Sequence, residues 1–412
     1  MTAGPERSLL YIDMAYTVEM VRQKRHFQFF EMRHAGGYFT RVWGVHPLAD
    51  AAGKRSRTIE IIPFSERQTA VEGVAEMLKL PRWFLPMNFV FSQAKLIRLL
   101  RRLIERERIS MISATDAYYA GLLGLILKRL TGRPLAVGVY ANQDELYAAT
   151  GALAMPRLLP FRWLERRVAR LVLSRADLVI AGNRNNLQFA LTNGARGATA
   201  VIPVAKNAEP LHQRSPEERP RPRTFDRLGI AHGTPAMLFV GRLLALKHPD
   251  EAVRAMAAVV ARRPDAIGLV AGSGPMQGEL ETLARQLGAA ASIHFLGHID
   301  QEELSRLIPH CITLSPLTGM ALVECGLGGS PLVAFDRDWQ AEFVEDGVNG
   351  FVVPFLDDQA MADRALRLIE DPALRARMAA ASRRRALDFA DPERIHALER
   401  QAYEALIAMA AR

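Results

Sequence analysis

The sequence predicts an α/β protein of two doubly wound, Rossmann-like domains. Three observations predict it. Short β-branched stretches alternate with amphipathic helical stretches through both halves of the chain, the pattern of largely parallel sheets covered by helices. A proline-rich, charged stretch divides the halves. The 412 residues give room for two or three ordinary domains, each with a sizeable core.

In the first half the strand candidates are 9–14, 41–45, 58–63, 110–113, 135–140, 178–181 and 200–203. In the second they are 236–241, 266–271, 293–296, 311–314, 332–335 and 351–353, with helices between. The divider, Arg214-Ser-Pro-Glu-Glu-Arg-Pro-Arg-Pro-Arg223, has the composition of an exposed linker. The expected domains are therefore 1–205, a linker at 206–232, a second domain at 233–391, and a helix at 392–412 that can pack back on the first domain. Two such domains joined by a hinge imply facing sheet edges with a cleft, where ligands of open α/β sheets bind.

With 49% hydrophobic and 24% charged residues the composition is that of a soluble globular protein. The longest uncharged, largely apolar run near the middle, 117–127, falls far short of the roughly 20 residues of a membrane span. The N-terminus lacks the basic start and long apolar core of a secretion signal, so the expected location is cytoplasmic. Cys311 and Cys325 are too few for a disulfide framework, and neither sits in a zinc-binding pattern. The net charge of +9 is uneven. Residues 1–200 hold 29 Lys/Arg against 16 Asp/Glu, while residues 201–412 hold 24 against 28. The basic first half suits an anionic partner: a membrane surface, a phosphorylated acceptor or nucleic acid. No nucleic-acid motif accompanies it.

Four constellations carry chemistry. Phe239-Val-Gly241-Arg242-Leu, followed by Lys247, ends a buried strand at a tight glycine turn and sets two cations at its carboxyl edge. Such a pair can hold a diphosphate without a metal. Ala271-Gly272-Ser-Gly274-Pro275 runs a strand into a Gly-x-Gly turn, with a helix expected from Pro275. Its amides can approach a phosphate, although such turns often serve only the fold. Ser315-Pro-Leu-Thr318-Gly319-Met320-Ala321 leads into a helix expected near Gly319, with Thr318 or Ser315 as its cap. The first-turn amides and the helix dipole attract phosphate there, and Glu324 lies where its carboxylate can take both hydroxyls of a ribose. Last, Asp336-Arg-Asp338 follows a buried strand and matches a short metal-binding pattern, but reads better as a capped junction with no metal.

In order and spacing, these segments together with Phe295-Leu-Gly297, Gly329-Ser-Pro-Leu-Val-Ala334 and Glu342-Phe-Val-Glu-Asp-Gly-Val-Asn-Gly350 resemble the retaining family 4 glycosyltransferases, the group 1 type, along residues 236–354. The resemblance implies the GT-B fold, an N-terminal acceptor domain and a C-terminal donor domain. It implies transfer of a sugar with retention from a UDP- or GDP-linked donor to a glycan or lipid-linked acceptor, with no separate cofactor. It assigns the diphosphate to Arg242 and Lys247 and the ribose to Glu324. Gly241, Gly272, Gly274, Thr318, Gly319, Met320 and Ala321 would frame the nucleotide. The leaving diphosphate can itself take the acceptor's proton. One departure stands out: where the family places a first Glu, eight residues before Glu324, this chain has Pro316.

In the first half the resemblance covers architecture. The first strand is followed by Met14-Ala-Tyr-Thr17 and not by a glycine pair. Asn142 and Asp144 follow a buried strand at 135–140, and Asp116 follows another. These are the expected acceptor and sugar contacts, with Asp144 placed in the catalytic set beside Arg242 and Lys247. Two helical stretches, 95–108 and 162–175, are amphipathic and basic, and the apolar 83–91 precedes the first. They can lie on an anionic inner-membrane face or simply cover the core. The rival functions are a sugar-nucleotide epimerase and an inactive nucleotide-sugar-binding protein.

Overall fold

A computed structural model describes residues 7–24, 27, 30, 32–53, 56–79, 81–204, 215 and 218–410. The chain forms two compact units, Met1–Ala205 with Pro392–Arg412 and Lys206–Asp391.

Unit 1 holds strands β1 (Ser8–Ile12), β2 (Arg41–His46), β3 (Glu60–Ser65), β4 (Gln68–Glu72), β5 (Met111–Ala114), β6 (Leu135–Val139), β7 (Leu178–Ala181) and β8 (Ala198–Val201). They form one sheet in the order β3-β4-β2-β1-β5-β6-β7-β8. The central strands are continuous apolar runs because both faces are covered. The helices Leu85–Arg106, Tyr119–Thr131 and Arg162–Leu173 cover one face through a core that includes Leu96, Leu100, Leu123, Ile112, Val137 and Val172. The helix Pro392–Ala410 covers part of the other face, with Ile395, Tyr403 and Leu406 against Leu9, Phe39, Met111 and Leu178.

Two features were not part of the expectation of a doubly wound sheet. β4 was not foreseen, because Gln-Thr-Ala-Val-Glu has polar ends and only three apolar-compatible positions. β3 runs antiparallel to β4 as an edge hairpin. Its alternating half-exposed pattern and Pro63 suit an edge.

Unit 2 is a six-stranded parallel sheet of β9 (Ala236–Val240), β10 (Ile267–Ala271), β11 (Ile293–Gly297), β12 (Cys311–Ser315), β13 (Leu332–Phe335) and β14 (Gly350–Val353). The order β11-β10-β9-β12-β13-β14 reverses direction between β9 and β12. Ligands of open α/β sheets bind beyond the strand ends at such a switch point. Cys311 and Cys325 are buried thiols, and burial pushes the Cys311 thiol well up.

The proline-rich stretch is not a free linker where it is described. Residues 205–214, 216 and 217 lie outside the described residues. Beyond them Arg219 is buried and donates to the carbonyls of Ser305 and Gly328, at 3.0 and 3.2 Å. A helix at Arg223–Leu228 follows, and Phe225 and Ile230 join the core of unit 2. Glu303 accepts from the amide of Thr224 at 2.7 Å. Proline and charge here mark a largely exposed arm tied to unit 2 by the buried Arg219 and other polar bonds, which composition alone does not distinguish from a linker.

Candidate active site

Both strands at the switch point of unit 2 end in a motif picked out by the sequence. After β9 the chain turns at Gly241, leaves Arg242 exposed, and forms a short 3-10 turn, Ala245–Lys247. After β12 it runs through Ser315 to Thr318, and the helix Met320–Leu327 starts behind Gly319.

The two loops converge. A Cβ placed on Gly319 would lie 3.3 Å from the Lys247 Nζ, and one on Gly241 would lie 3.8 Å from the Thr318 methyl. Lys247 thus stands at the start of the Met320–Leu327 helix. Its pKa is lowered, first by burial and next by the Arg242 guanidinium, with Asp338 acting in the opposite sense. Two cations held near each other against their own repulsion make a site that an anion would relieve.

The expected cap is corrected. Neither Thr318 nor Ser315 bonds to a helix amide. Gly319 itself is the N-cap residue, with φ 70° and no side-chain cap. A positive φ at this position favours glycine. The Thr318 and Ser315 hydroxyls bond to each other instead. Ser315 also donates to the Gln340 Oε1 at 2.9 Å, and the Gln340 amide donates to the carbonyls of Pro316 and Phe335. Gln340 therefore staples the loop in front of the helix. Sequence reasoning missed it, since a lone Gln after β13 carries no motif. First-turn amides have no partner inside a helix, so Met320 and Ala321 can offer theirs to a ligand. Glu324 is buried one turn further on.

The Gly-x-Gly turn after β10 has a packing role, one of the two that its sequence allows. The Gly272 amide donates to the Gly297 carbonyl at 2.8 Å, and the Gly241 amide to the Ala271 carbonyl at 3.0 Å. A Cβ on Gly272 would fall 1.8 Å from the Gly241 carbonyl oxygen, and one on Gly274 would fall 2.3 Å from that of Leu243. The glycines let two loops cross in contact. The helix expected from Pro275 starts at Gln277, because the chain first closes this crossing through Met276 N–H to the Leu243 carbonyl, 3.2 Å.

Asp338 has a positive φ of 57° and acts electrostatically on Lys247. Its neighbour Arg337 lies 5.2 Å above the Phe355 ring, which His248 meets edge-on at 5.3 Å. Burial lowers the His248 pKa, against the opposing Asp250 carboxylate and with Arg337 adding to it. Among the described residues no group of three His, Cys, Asp or Glu side chains could hold a metal.

In unit 1 the candidates lie at the carboxyl ends of β5 and β6. Asp116 accepts from the Tyr118 amide at 2.7 Å. Burial pushes its carboxyl up to about 6, nearby amides pull it down, and Asp13, after the adjacent β1, pushes it up again. Asn142 caps the helix Gln143–Thr150 and donates to the Asn185 carbonyl oxygen at 3.0 Å. Asp144 does not fit a catalytic role. Its carboxylate pairs with Arg162, stands 3.7 Å from Arg166 and accepts from Asn193 at 2.8 Å, which makes it the anchor of a structural network. The same sheet edge carries groups that the sequence did not reveal. Asp13 pairs with buried Arg33, and Glu72 accepts from the Val18 amide at 2.7 Å. The buried His46 ring bonds to the Met14 carbonyl at 3.2 Å and leaves Nδ1 without a partner. Asp13 and His46, at or just after the ends of foreseen strands, had that one signal, and Arg33 and Glu72 had none.

Comparison with known proteins shows the family. The family "Glycosyl transferases group 1" matches residues 220–385, and "Glycosyl transferase 4-like domain" matches residues 40–205. The chain is 30% identical over 279 residues to the alpha-D-kanosaminyltransferase of Streptomyces kanamyceticus, covering 65% of this chain and 68% of that one. It is 25% identical over 316 residues to the GDP-mannose-dependent alpha-(1-6)-phosphatidylinositol monomannoside mannosyltransferase of Mycolicibacterium smegmatis, covering 74% and 78%. Among solved structures, sucrose-phosphate synthase of Thermosynechococcus elongatus aligns with a TM-score of 0.70 at 19% identity, over 98% of this chain and 100% of that one. The Anabaena HepE protein in complex with UDP and glucose aligns with 0.69 at 19%, over 97% and 100%. The chain thus belongs to the group 1, family 4 glycosyltransferases and has their GT-B fold of two parallel-sheet α/β domains.

Proposed function

We propose that the chain moves a sugar, with retention, from a UDP- or GDP-linked donor bound in unit 2 to a hydroxyl of a saccharide or lipid-linked acceptor. The observation that carries the reading is the convergence of Lys247 on the start of the Met320–Leu327 helix at the switch point. Lys247 and Arg242 take the diphosphate, and the amides of Met320 and Ala321 add donors. Charge that grows on the leaving diphosphate meets groups already in place, the main electrostatic need of such a transition state. Thr318 and Gly319 shape the floor under it, and Glu324 takes the ribose. Gly241, Gly272 and Gly274 act by letting the loops approach. Asp116 and Asn142, at the carboxyl edge of unit 1, meet the acceptor, and Asp144 is left out of the catalytic set. With Pro316 where a carboxylate would stand, the backbone near Gly319 and Asp338 are the groups at hand for the sugar. The relatives named for GDP-mannose and kanosaminyl transfer support the donor class, and the basic first half supports an anionic membrane as the surface that unit 1 meets.

The test is thermal stability with UDP, GDP, ADP and their sugar conjugates, followed by product analysis with and without acceptor. One nucleotide at about 100 times its dissociation constant should add about 2.7 kcal/mol to the wild type and not to Lys247→Ala. Stabilisation by none of them at millimolar concentration refutes the donor site. An isomerised nucleotide sugar formed without acceptor identifies an epimerase instead.

A further inference from the structure

The helix Leu85–Arg106 is inside out over its first turns. An ordinary surface helix turns its polar side to water and its apolar side to the core. Here Asn88, Ser92 and Gln93 are buried. Asn88 accepts from the amides of Met77 and Leu78 at 3.1 Å, and Gln93 donates to the Val74 carbonyl at 2.9 Å. The apolar side chains face outward: Trp83 is 83% exposed, Met87 67% and Val90 65%, with Phe84 and Phe91 exposed beside them. Further along, the inner face becomes apolar through Leu96, Leu100, Leu103 and Ile104.

The outward face changes over the same length. Lys95 lies 4.6 Å above the Phe91 ring, and from there the face is basic. Lys95, Arg98 and Arg102 line a groove of ≈ 520 Å³ whose apolar walls include Ile59, Ile61 and Leu99. These three cations have no carboxylate partner among the described residues, whereas Arg101 pairs with Glu105 and Arg106 with Glu107, each at 3.0 and 2.9 Å. The positive charge is therefore concentrated next to the aromatic end. Large apolar side chains exposed together in one place mark an interaction site. An aromatic end adjoining unpaired cations has the charge and polarity order of a bilayer interface, apolar within and anionic at the headgroups.

We propose that this face of Leu85–Arg106 docks unit 1 on an anionic phospholipid bilayer, with Trp83, Met87 and Phe91 entering the interface and Lys95, Arg98 and Arg102 meeting the headgroup phosphates. It rests on the reading that unit 1 meets an anionic membrane, and it adds the place and the mode.

The full chain is tested by cosedimentation with vesicles of phosphatidylcholine and phosphatidylglycerol in equal parts, and with phosphatidylcholine alone. Wild type should bind the mixed vesicles and not the neutral ones. R98Q/R102Q should weaken partitioning roughly 25-fold, about fivefold for each cation. W83A/M87A should weaken it roughly tenfold or more, with the far-ultraviolet dichroism and the nucleotide-induced thermal shift of both variants unchanged. No binding by wild type refutes the membrane reading itself. Wild-type binding that both variants retain leaves that reading standing and overturns this surface. Loss in R98Q/R102Q with none in W83A/M87A overturns insertion of the aromatic end and leaves a purely electrostatic contact with the headgroups.

Discussion

Replacing Lys247 by Met keeps most of the aliphatic stem and removes the charge. A phosphate oxygen's charge about 4 Å from the ammonium is worth about 4 kcal/mol at an effective dielectric constant of about 20. Part of that is offset, because Lys247 is already half-buried and already repelled by Arg242. The net loss for a nucleoside diphosphate should be about 2–3 kcal/mol, or roughly 30- to 150-fold in Kd. The free protein should be no less stable than wild type, since the variant removes a partly desolvated charge and a like-charge neighbour. Calorimetric titration of UDP, GDP and the matching monophosphates, with denaturation of the free protein alongside, checks both parts. The diphosphate should lose much more affinity than the monophosphate, and kcat/KM should fall about 100- to 1,000-fold. Equal loss for mono- and diphosphate would refute the placement of Lys247 on the diphosphate. A less stable free variant would refute the electrostatic account of the lysine.

Further predictions come from particular contacts. Gly272→Ala brings a methyl to 1.8 Å from the Gly241 carbonyl oxygen at a φ of 149°, so chemical denaturation should register a loss of about 4 kcal/mol or more. Gly278→Ala, where nothing lies within 4 Å inside a helix, should instead gain about 0.5–1 kcal/mol. Gln340→Leu strips buried acceptors of their donors and should cost about 2–3 kcal/mol, with weaker nucleotide binding because the loop 315–318 loses its staple. Asp116→Asn tests the sign of a raised carboxyl pKa. Wild type is relatively most stable below the unfolded value of 3.8 and loses stability as pH rises through about 6. The variant should match wild type near pH 3.5 and exceed it by about 3 kcal/mol at pH 8, and equal stability at both pH values would refute the raised pKa.

The second half of the chain was the more legible. Its strands are short apolar runs, and four of the six end at a glycine or a serine that punctuates the pattern. Phe239-Val-Gly-Arg and Ser315 to Glu324 pointed to the two loops that meet in space, since the family order fixes what lies beside β9 and β12. What those glycines do was less legible. Gly272 reads from sequence as a phosphate turn, and only the backbone crossing at Gly241 reveals its packing role. Gln340, stapled across 25 residues to Ser315, has no local signature at all. In unit 1 the strands other than β4 were readable, but the polar cluster of Asp13, Arg33, His46 and Glu72 is gathered by sheet order from distant positions. The stretch 83–91 could be either core or surface on hydrophobicity alone. Which way it faces depends on Asn88 and Gln93 finding carbonyl and amide partners in the loop 74–78.

The helix Pro392–Ala410 has a consequence for biosynthesis. Its Ile395, Tyr403 and Leu406 cover Leu9, Met111 and Leu178, yet all of unit 2 is encoded between them. At about 5–20 residues per second a ribosome needs on the order of 10 to 40 s to make that insertion. During that interval part of one side of the first sheet stands bare, while the second unit can finish folding. The half encoded first is thus completed last. A nonsense mutation just before Pro392 should accordingly leave nucleotide recognition intact and express itself as chaperone dependence and aggregation.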